Sequence, residues 1–458
     1  MAQGRAAFAW DWTITGNAGE TLTQSDNPNL QIPPAWGGSS DSFLNLNIEG
    51  RTPTLKMDLN TGINYTAYWG PGWDNQSNFP YPSLNLSITK TTKTTDFFLN
   101  ASASISDLQT TLQQEDFRFT NVNGTTTNLN AGGGFTHKFD PINSFTWTAD
   151  YGVTTYDPVG DGLYPTTSIS SSVTWSHSMN KLHDIGPTVS FNWYNYNISS
   201  FTPSPTFFTL DPGPPVISAM VAPSGSDIPP PDITSLTATG WWNARLTKRL
   251  TLRSTFGVGI FNQAYDGRDQ FNYTGSTPWL NPPTDPTVQK PCAADPNFPN
   301  CTYKPKKVAT WSVVPVWSVT LVDQIWDNST FTFSASESTS PNSFGDLQST
   351  FNIGMGFSHT INEASDISLG FNYSENSGGT TAGVCADPSQ PCAFRNELAT
   401  NNITFDVVYN RQLWRYWSAS LGYTFERSKF DNNGDGSADY ANENLFTATI
   451  KREFTLLR

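Results

Sequence analysis

Apolar and small polar residues alternate along almost the whole chain. In Trp417-Ser418-Ala419-Ser420-Leu421-Gly422-Tyr423-Thr424-Phe425 every odd position is apolar, and the even ones are Ser, Ser, Gly and Thr. Thr330–Ser336, Phe351–Phe357, Ile367–Tyr373 and Leu55–Asn60 obey the same rule. A period of two marks strands with unlike faces, whereas a helix would show a period near 3.6. The polar face carries Ser, Thr, Asn and Gly with few charges. A water-exposed outer face would carry many Lys and Glu, so the pattern suits a wet interior and an apolar exterior. Reading the alternation along the chain gives 18 segments, beginning near residues 5, 42, 53, 82, 94, 125, 143, 165, 183, 234, 249, 308, 326, 347, 363, 397, 414 and 440. The predicted fold is all-β: a transmembrane antiparallel β-barrel of about 18 strands (16–18) forming one domain over residues 1–458.

The connections fall into two alternating classes. Short turns include Arg51-Thr52-Pro53, Thr92-Lys93, Asp140-Pro141-Ile142-Asn143, Asn180-Lys181, Lys248-Arg249, Trp326-Asp327-Asn328, Asn362-Glu363 and Arg411-Gln412. The long, polar, Pro-rich ones are placed at 17–41, 67–81, 107–124, 199–233, 265–307, 377–396 and 428–439. Short periplasmic turns and long extracellular loops are the layout of a bacterial outer-membrane barrel. Pro315 sits on an apolar strand face, where a bulge or a local break in the ladder is expected. His137, His177 and His359 each follow an aromatic-Ser/Thr step just before a short turn and share the apolar phase. That places them at the periplasmic lipid interface, where amphipathic rings settle.

Composition sharpens this picture. Only 14% of residues are charged and 36% hydrophobic, against about 25% and about 45–50% in soluble domains. Thirty Phe, 16 Trp and 16 Tyr exclude disorder, and the net charge of −14 argues against a nucleic-acid partner. Met1-Ala2-Gln3-Gly4 lacks the basic and apolar regions of a secretory leader, which gives the expectation that a signal peptide has been removed.

No catalytic constellation is present: the sequence has neither a Gly-x-Ser-x-Gly elbow nor a phosphate loop, a His-Glu-x-x-His pair or a haem-attachment motif. The reading is therefore not an enzyme, with no cofactor required. Cys292, Cys301, Cys385 and Cys392 lie as two close pairs in two long loops, which favours Cys292–Cys301 and Cys385–Cys392 disulfides in an oxidising compartment. Asp431, Asn433, Asp435 and Asp439 space oxygen ligands as in the first part of a calcium loop over 431–442. Position 12 there is Asn442, with Glu443 one place late, and an acidic turn-forming loop is the alternative.

By strand phase the ionisable pore-lining residues are Asp11, Glu49, Arg51, Lys56, Asp58, Asp150, Arg245, Arg253, Asp366, Asp406, Glu426 and Lys451. Both signs are present, unlike the basic lumen of a phosphate or acidic-polymer channel. Tyr194, Tyr196, Trp241 and Tyr416 share the inward phase, either as stacking faces for sugars or as packing against inserted loops. Trp10, Trp12, Trp147, Trp175, Trp193, Trp311, Trp317 and Trp417 take the lipid-facing phase.

The closing hairpin, Ser418–Arg427, an Asp/Asn/Gly loop and Asp439–Asn444, resembles the C-terminal part of outer-membrane β-barrel porins associated with exopolysaccharide export systems. The Phe/Trp-Ser/Thr-His turn entries are also similar. Many outer-membrane barrels end on Phe, whereas here Phe454 is followed by Thr-Leu-Leu-Arg. The resemblance implies a channel exporting polysaccharide, partnered by outer-membrane lipid and periplasmic export components, and supplies no catalytic residue. Two alternatives remain: a barrel sheathing an electron-transfer cytochrome, and a lip-site hydrolase. The sequence leaves the oligomeric state open.

Overall fold

The computed structural model describes residues 10–28, 30, 34–73, 79–108, 117–118, 124–157, 165–196, 207–208, 219–220, 232–264, 270–273, 301–304, 310–341, 347–377, 397–431 and 438–457. Eighteen long strands form one closed antiparallel barrel. They are β1 (Asp11–Ser25), β2 (Gly37–Arg51), β3 (Leu55–Trp69), β4 (Phe79–Thr91), β5 (Thr95–Asp107) and β6 (Thr125–Lys138). Next come β7 (Asn143–Asp157), β8 (Thr166–Asn180), β9 (His183–Tyr196), β10 (Asp232–Arg245), β11 (Leu250–Ala264) and β12 (Thr310–Trp326). The wall is completed by β13 (Ser329–Pro341), β14 (Leu347–Asn362), β15 (Ser365–Ser377), β16 (Glu397–Trp414), β17 (Trp417–Asp431) and β18 (Ala438–Leu457). Closure is direct, because β1 pairs with β2 from Asp11↔Arg51 and with β18 up to Ser25↔Leu445. A closed ladder is what a strand protein needs in lipid, where every unpaired backbone group costs several kcal/mol. No described helix is long and apolar enough to cross a membrane.

The strand starts at Thr125, Asn143, His183, Leu347 and Glu397 coincide with the predicted ones. The largest difference is at the beginning. β1 starts at Asp11 and runs to Ser25, and β2 starts at Gly37, so much of the expected 17–41 loop is strand. The alternation there is weakened by Gly16, Ala18 and Gly19. A Cβ on Gly16 would stand 2.6 Å from the Phe454 ring, so the aromatic side chain from β18 fills the place that a side chain at Gly16 would take.

Short turns are clamped by their first polar residue. Thr52 Oγ1 accepts from the Leu55 N–H at 3.0 Å, and Thr92 Oγ1 does the same for Thr95 at 3.0 Å. Thr247 repeats the device with Leu250 at 3.0 Å. Asp140 Oδ1 accepts from the N–H of Ile142 and of Asn143, both at 2.8 Å. Each turn is also tied to the next hairpin: Thr91 N–H donates to Thr54 O, Lys138 to Thr94, Ser178 to Ile142 and Arg245 to Leu182. The same link continues through Gln324 to Arg249, Thr360 to Asn328, Gln412 to Ala364 and Glu453 to Tyr416. A ring of hydrogen bonds thus follows the short-turn rim.

Prolines mark the irregular ladders. The β12–β13 pairing begins only at Trp317↔Glu337, although Pro315 stays in register with Val258 on its other side. Of the two expectations for Pro315, the structure has the local break. The β4–β5 pairing likewise stops at Ser83↔Ser104, just below Pro82, and the β8–β9 ladder passes from Ile185↔His177 to Thr188↔Thr174, omitting Pro187. Each proline lacks the N–H that a ladder uses.

Candidate functional site

The two faces of the wall differ in kind. One presents exposed Leu44, Ile63, Leu99, Val189, Phe256, Leu421 and Ile450 among many others. That band is the outer face, suited to lipid. Four histidines stand on it by the short-turn rim. His137 Nδ1 bonds Thr95 Oγ1 at 2.8 Å, His177 Nδ1 donates to Asn143 Oδ1 at 2.8 Å, and His359 Nδ1 bonds Ser329 Oγ at 2.7 Å. In each pair the partner is the cross-strand residue that opens a neighbouring strand. His183 joins them, its ring stacked 5.9 Å from Trp242. Aromatic packing continues the rim: Phe139 lies edge-on to His137 at 4.8 Å and stacks on Trp175 at 5.4 Å.

The residues expected to line a pore share the opposite face by ladder register. On β1–β3, Asp11 pairs with Arg51 and Glu49 with Asp58 in the ladder, close to the short-turn rim. Glu49 forms an ion pair with Arg51, and Lys56 lies 3.4 Å from Glu49 and 2.9 Å from Asp58. Pairs this exposed contribute about 0–1 kcal/mol each, so their main effect is a local field of mixed sign. Lys451 and Glu453 add a 2.9 Å pair on β18.

Elsewhere the inner charges lie along the wall. Asp150 and Asp406 fold over Gly132 and Gly370 of the neighbouring strands, which have no Cβ to displace them. Asp366 accepts from Asn410 Nδ2 at 2.9 Å, and Glu426 accepts from Asn402 Nδ2 at 3.1 Å. Arg245 and Arg253 stand on the neighbouring strands β10 and β11. Glu443, directly across the ladder from Glu426, enters the sequence reading only as the residue one place late for a calcium loop and not as a pore-lining carboxylate.

The aromatic residues divide. The Trp241 ring lies over Gly186, where a Cβ would be 2.9 Å away. Tyr196 is buried with Ile233 and Phe261, with Tyr194, Val314 and Leu347 packed against them. At 3% exposure the Tyr196 ring has no free face for a solute, so packing describes it and stacking does not. Tyr416 sits at the short-turn rim under the Arg415 guanidinium, 5.1 Å from its ring centre.

Sequence reading missed a further feature, a belt of carboxamides at mid-height. Asn45 Nδ2 donates to Asn17 Oδ1 at 3.1 Å, and Asn47 Nδ2 to Asn60 Oδ1 at 2.5 Å. Asn60 pairs with Asn85 across β3–β4, and Asn100 follows on β5. Asn17, Asn45, Asn47, Asn60 and Asn85 border one cavity of ≈ 680 Å³ that also reaches Tyr416 and Glu453. A second cavity of ≈ 510 Å³ holds Asp366, Asn410, Gln412, Thr449 and Lys451. The signal was the recurrence of Asn on the polar phase of successive strands, and only the register shows that those positions share one level.

Of the calcium loop, residues 432–437 lie outside the described residues; Asp431 and Asp439 are seen only as strand ends, in the pairs Asp431↔Ala438 and Phe430↔Asp439. Cys292, Cys385 and Cys392 also lie outside the described residues, and Cys301 is described only by its pairing with Tyr273. Among the described residues no cluster of His, Cys, Asp or Glu could hold a metal ion.

No protein-family profile matches the sequence, and no characterised protein matches it either. Solved structures do align with most of the chain. The FrpB iron transporter of Neisseria meningitidis aligns with a TM-score of 0.49 at 9% identity, covering 96% of this chain and 81% of that one. OccK2 (OpdF) of Pseudomonas aeruginosa aligns with a TM-score of 0.46 at 6% identity, covering 98% and 99%. The ferric-catecholate import receptor Fiu of E. coli K12 gives 0.46 at 10% identity, covering 95% and 81%.

Proposed function

We propose that the protein is an outer-membrane channel, a water-filled pore for polar solutes. The observation that carries this reading is the sorting of side chains around the closed barrel: apolar and aromatic groups outside, Ser, Thr, Asn and both charge signs inside. Barrels of about 16–18 strands leave an aqueous channel rather than a packed core, and an outward apolar band with aromatic rims matches an outer membrane. Export of a polysaccharide is the finer reading. It draws on the resemblance of the closing hairpin and on the uncharged mid-height wall of β1–β5, with outer-membrane lipid and periplasmic export components as partners.

The other two readings gain less support. A cytochrome sheath calls for a lumen shaped to another protein, and a hydrolase calls for a base near a nucleophile. The four histidines of the sequence all stand on the outer face. Purified protein in a planar bilayer is expected to show stepwise conductance with weak ion selectivity, since acidic and basic groups share the wall. Failure to conduct, even after deletion of 199–233 and 265–307, rejects the open pore.

A further inference from the structure

We infer that the carboxamide belt on β1–β5 is a binding site for a neutral, polyhydroxylated chain, an uncharged oligosaccharide in particular. The inference rests on the channel reading and specifies what its wall recognises.

Asn17, Asn45, Asn47, Asn60, Asn85 and Asn100 occupy the middle of five consecutive strands on the inner face. Each carboxamide offers two donors and two acceptor lone pairs. The Asn17–Asn45 and Asn47–Asn60 bonds use one of these on each partner, which fixes the side chains and leaves the rest available. Asn60, Asn85 and Asn100 are exposed. A surface that both donates and accepts at close spacing matches the hydroxyl groups of a sugar, which also do both.

On β2–β5 this level carries no charge; the nearest charges are Glu453, across the β1–β18 ladder from Asn17 and paired with Lys451, and Arg415 at the rim end of the cavity. The Glu49, Arg51, Lys56 and Asp58 cluster lies toward the short-turn rim, and Asp41 lies toward the other end, bonded to Thr66. Between them the inner positions of these strands are Asn, Ser, Thr, Gly and Phe. On the belt itself an anionic chain would meet only neutral amides, against which desolvating its carboxylates is unfavourable, and the Arg415 guanidinium of the same cavity lies over the Tyr416 ring at the rim end. Gly62 opens the wall beside Asn45, whose Oδ1 lies where a Cβ would otherwise project. At the rim end of the same cavity the Tyr416 ring, covered on one face by the Arg415 guanidinium and 49% exposed, can offer only its other face to a pyranose.

The test uses the full-length protein in detergent and in planar bilayers, with a neutral linear glucan heptasaccharide as probe and an oligogalacturonate of equal length as comparator. Titration calorimetry is expected to register the glucan and not the galacturonate, and the glucan alone is expected to interrupt the current. The Asn60→Ala/Asn85→Ala double variant is expected to weaken glucan binding about thirtyfold, the effect of losing two ordinary hydrogen bonds. Heat-modifiable gel migration checks that this variant still forms its barrel, and Asn85→Gln serves as a milder change if it does not. A conducting protein that neither binds nor is blocked by glucan overturns the inference while leaving the channel intact. Stronger response to galacturonate, or undiminished binding by the Asn variants, also overturns it. Glucan binding without conductance keeps the site and rejects the channel.

Discussion

At the scale of single residues, glycine is the position where this wall is most sensitive. A Cβ on Gly186 would run into the Trp175 carbonyl and meet the Trp241 ring, whereas one on Gly240, its near neighbour across the β9–β10 ladder, would meet nothing within 4 Å. Gly186→Ala is therefore expected to lose about 1–3 kcal/mol, the usual cost of overpacking, and Gly240→Ala to leave stability unchanged or slightly higher. Urea unfolding followed by Trp fluorescence compares the two, and equal effects would refute the assignment. Asp140 gives a pH dependence. Hydrogen bonds from the Asn143 side chain, then from the Ile142 and Asn143 backbone, hold its carboxyl below its ordinary value. A depressed folded value means that the stabilisation is fully present above the unfolded value and fades as pH falls through the folded one. The stability difference between wild type and Asp140→Ala is thus expected to shrink in the acid range below the ordinary Asp value; a constant difference down to full protonation contradicts it.

At the scale of elements, the turns and strands were largely legible because two local signals agree. Period-two alternation sets the strand, and a Thr, Asn or Asp at the first turn position closes it, as in Thr92, Asp140 and Asn180. Replacing Thr92 by Ala removes an acceptor for the Thr95 N–H and is expected to cost about 0.5–1.5 kcal/mol, readable as a lower midpoint in thermal gel-shift assays. The first hairpin was less legible. Nothing local distinguishes Asn17–Ser25 from a polar loop; it is strand because β2 and β18 both pair with it, and the Phe454 ring over Gly16 comes from more than 400 residues away. His183 was missed for a similar reason. It lacks the aromatic-Ser/Thr-His spacing of the other three and joins the rim through Trp242 on the next strand.

For the whole molecule, the inner and outer faces follow from phase alone, so the charged residues assigned to the lumen fall on one face of the sheet. Their heights do not follow from phase. The carboxamide belt exists because registers such as Asn17↔Asn45 and Asn60↔Asn85 bring separate strands to one level, and register is a property of the closed barrel. The same closure gives the barrel a weakest seam. Above Trp317↔Glu337, held by the Trp317 indole N–H donating to Glu337 Oε2 at 2.9 Å, β12 and β13 continue without pairing to each other. Of Val313, Val314 and Val316, the amide protons directed toward β13 rather than β11 are expected to exchange with deuterium many times faster than those of Val319–Val322, and the fast zone is expected to spread downward in Trp317→Phe. Unfolding would then begin as an unzipping at this seam, with the ring of bonded turns at the opposite rim the last part to come apart.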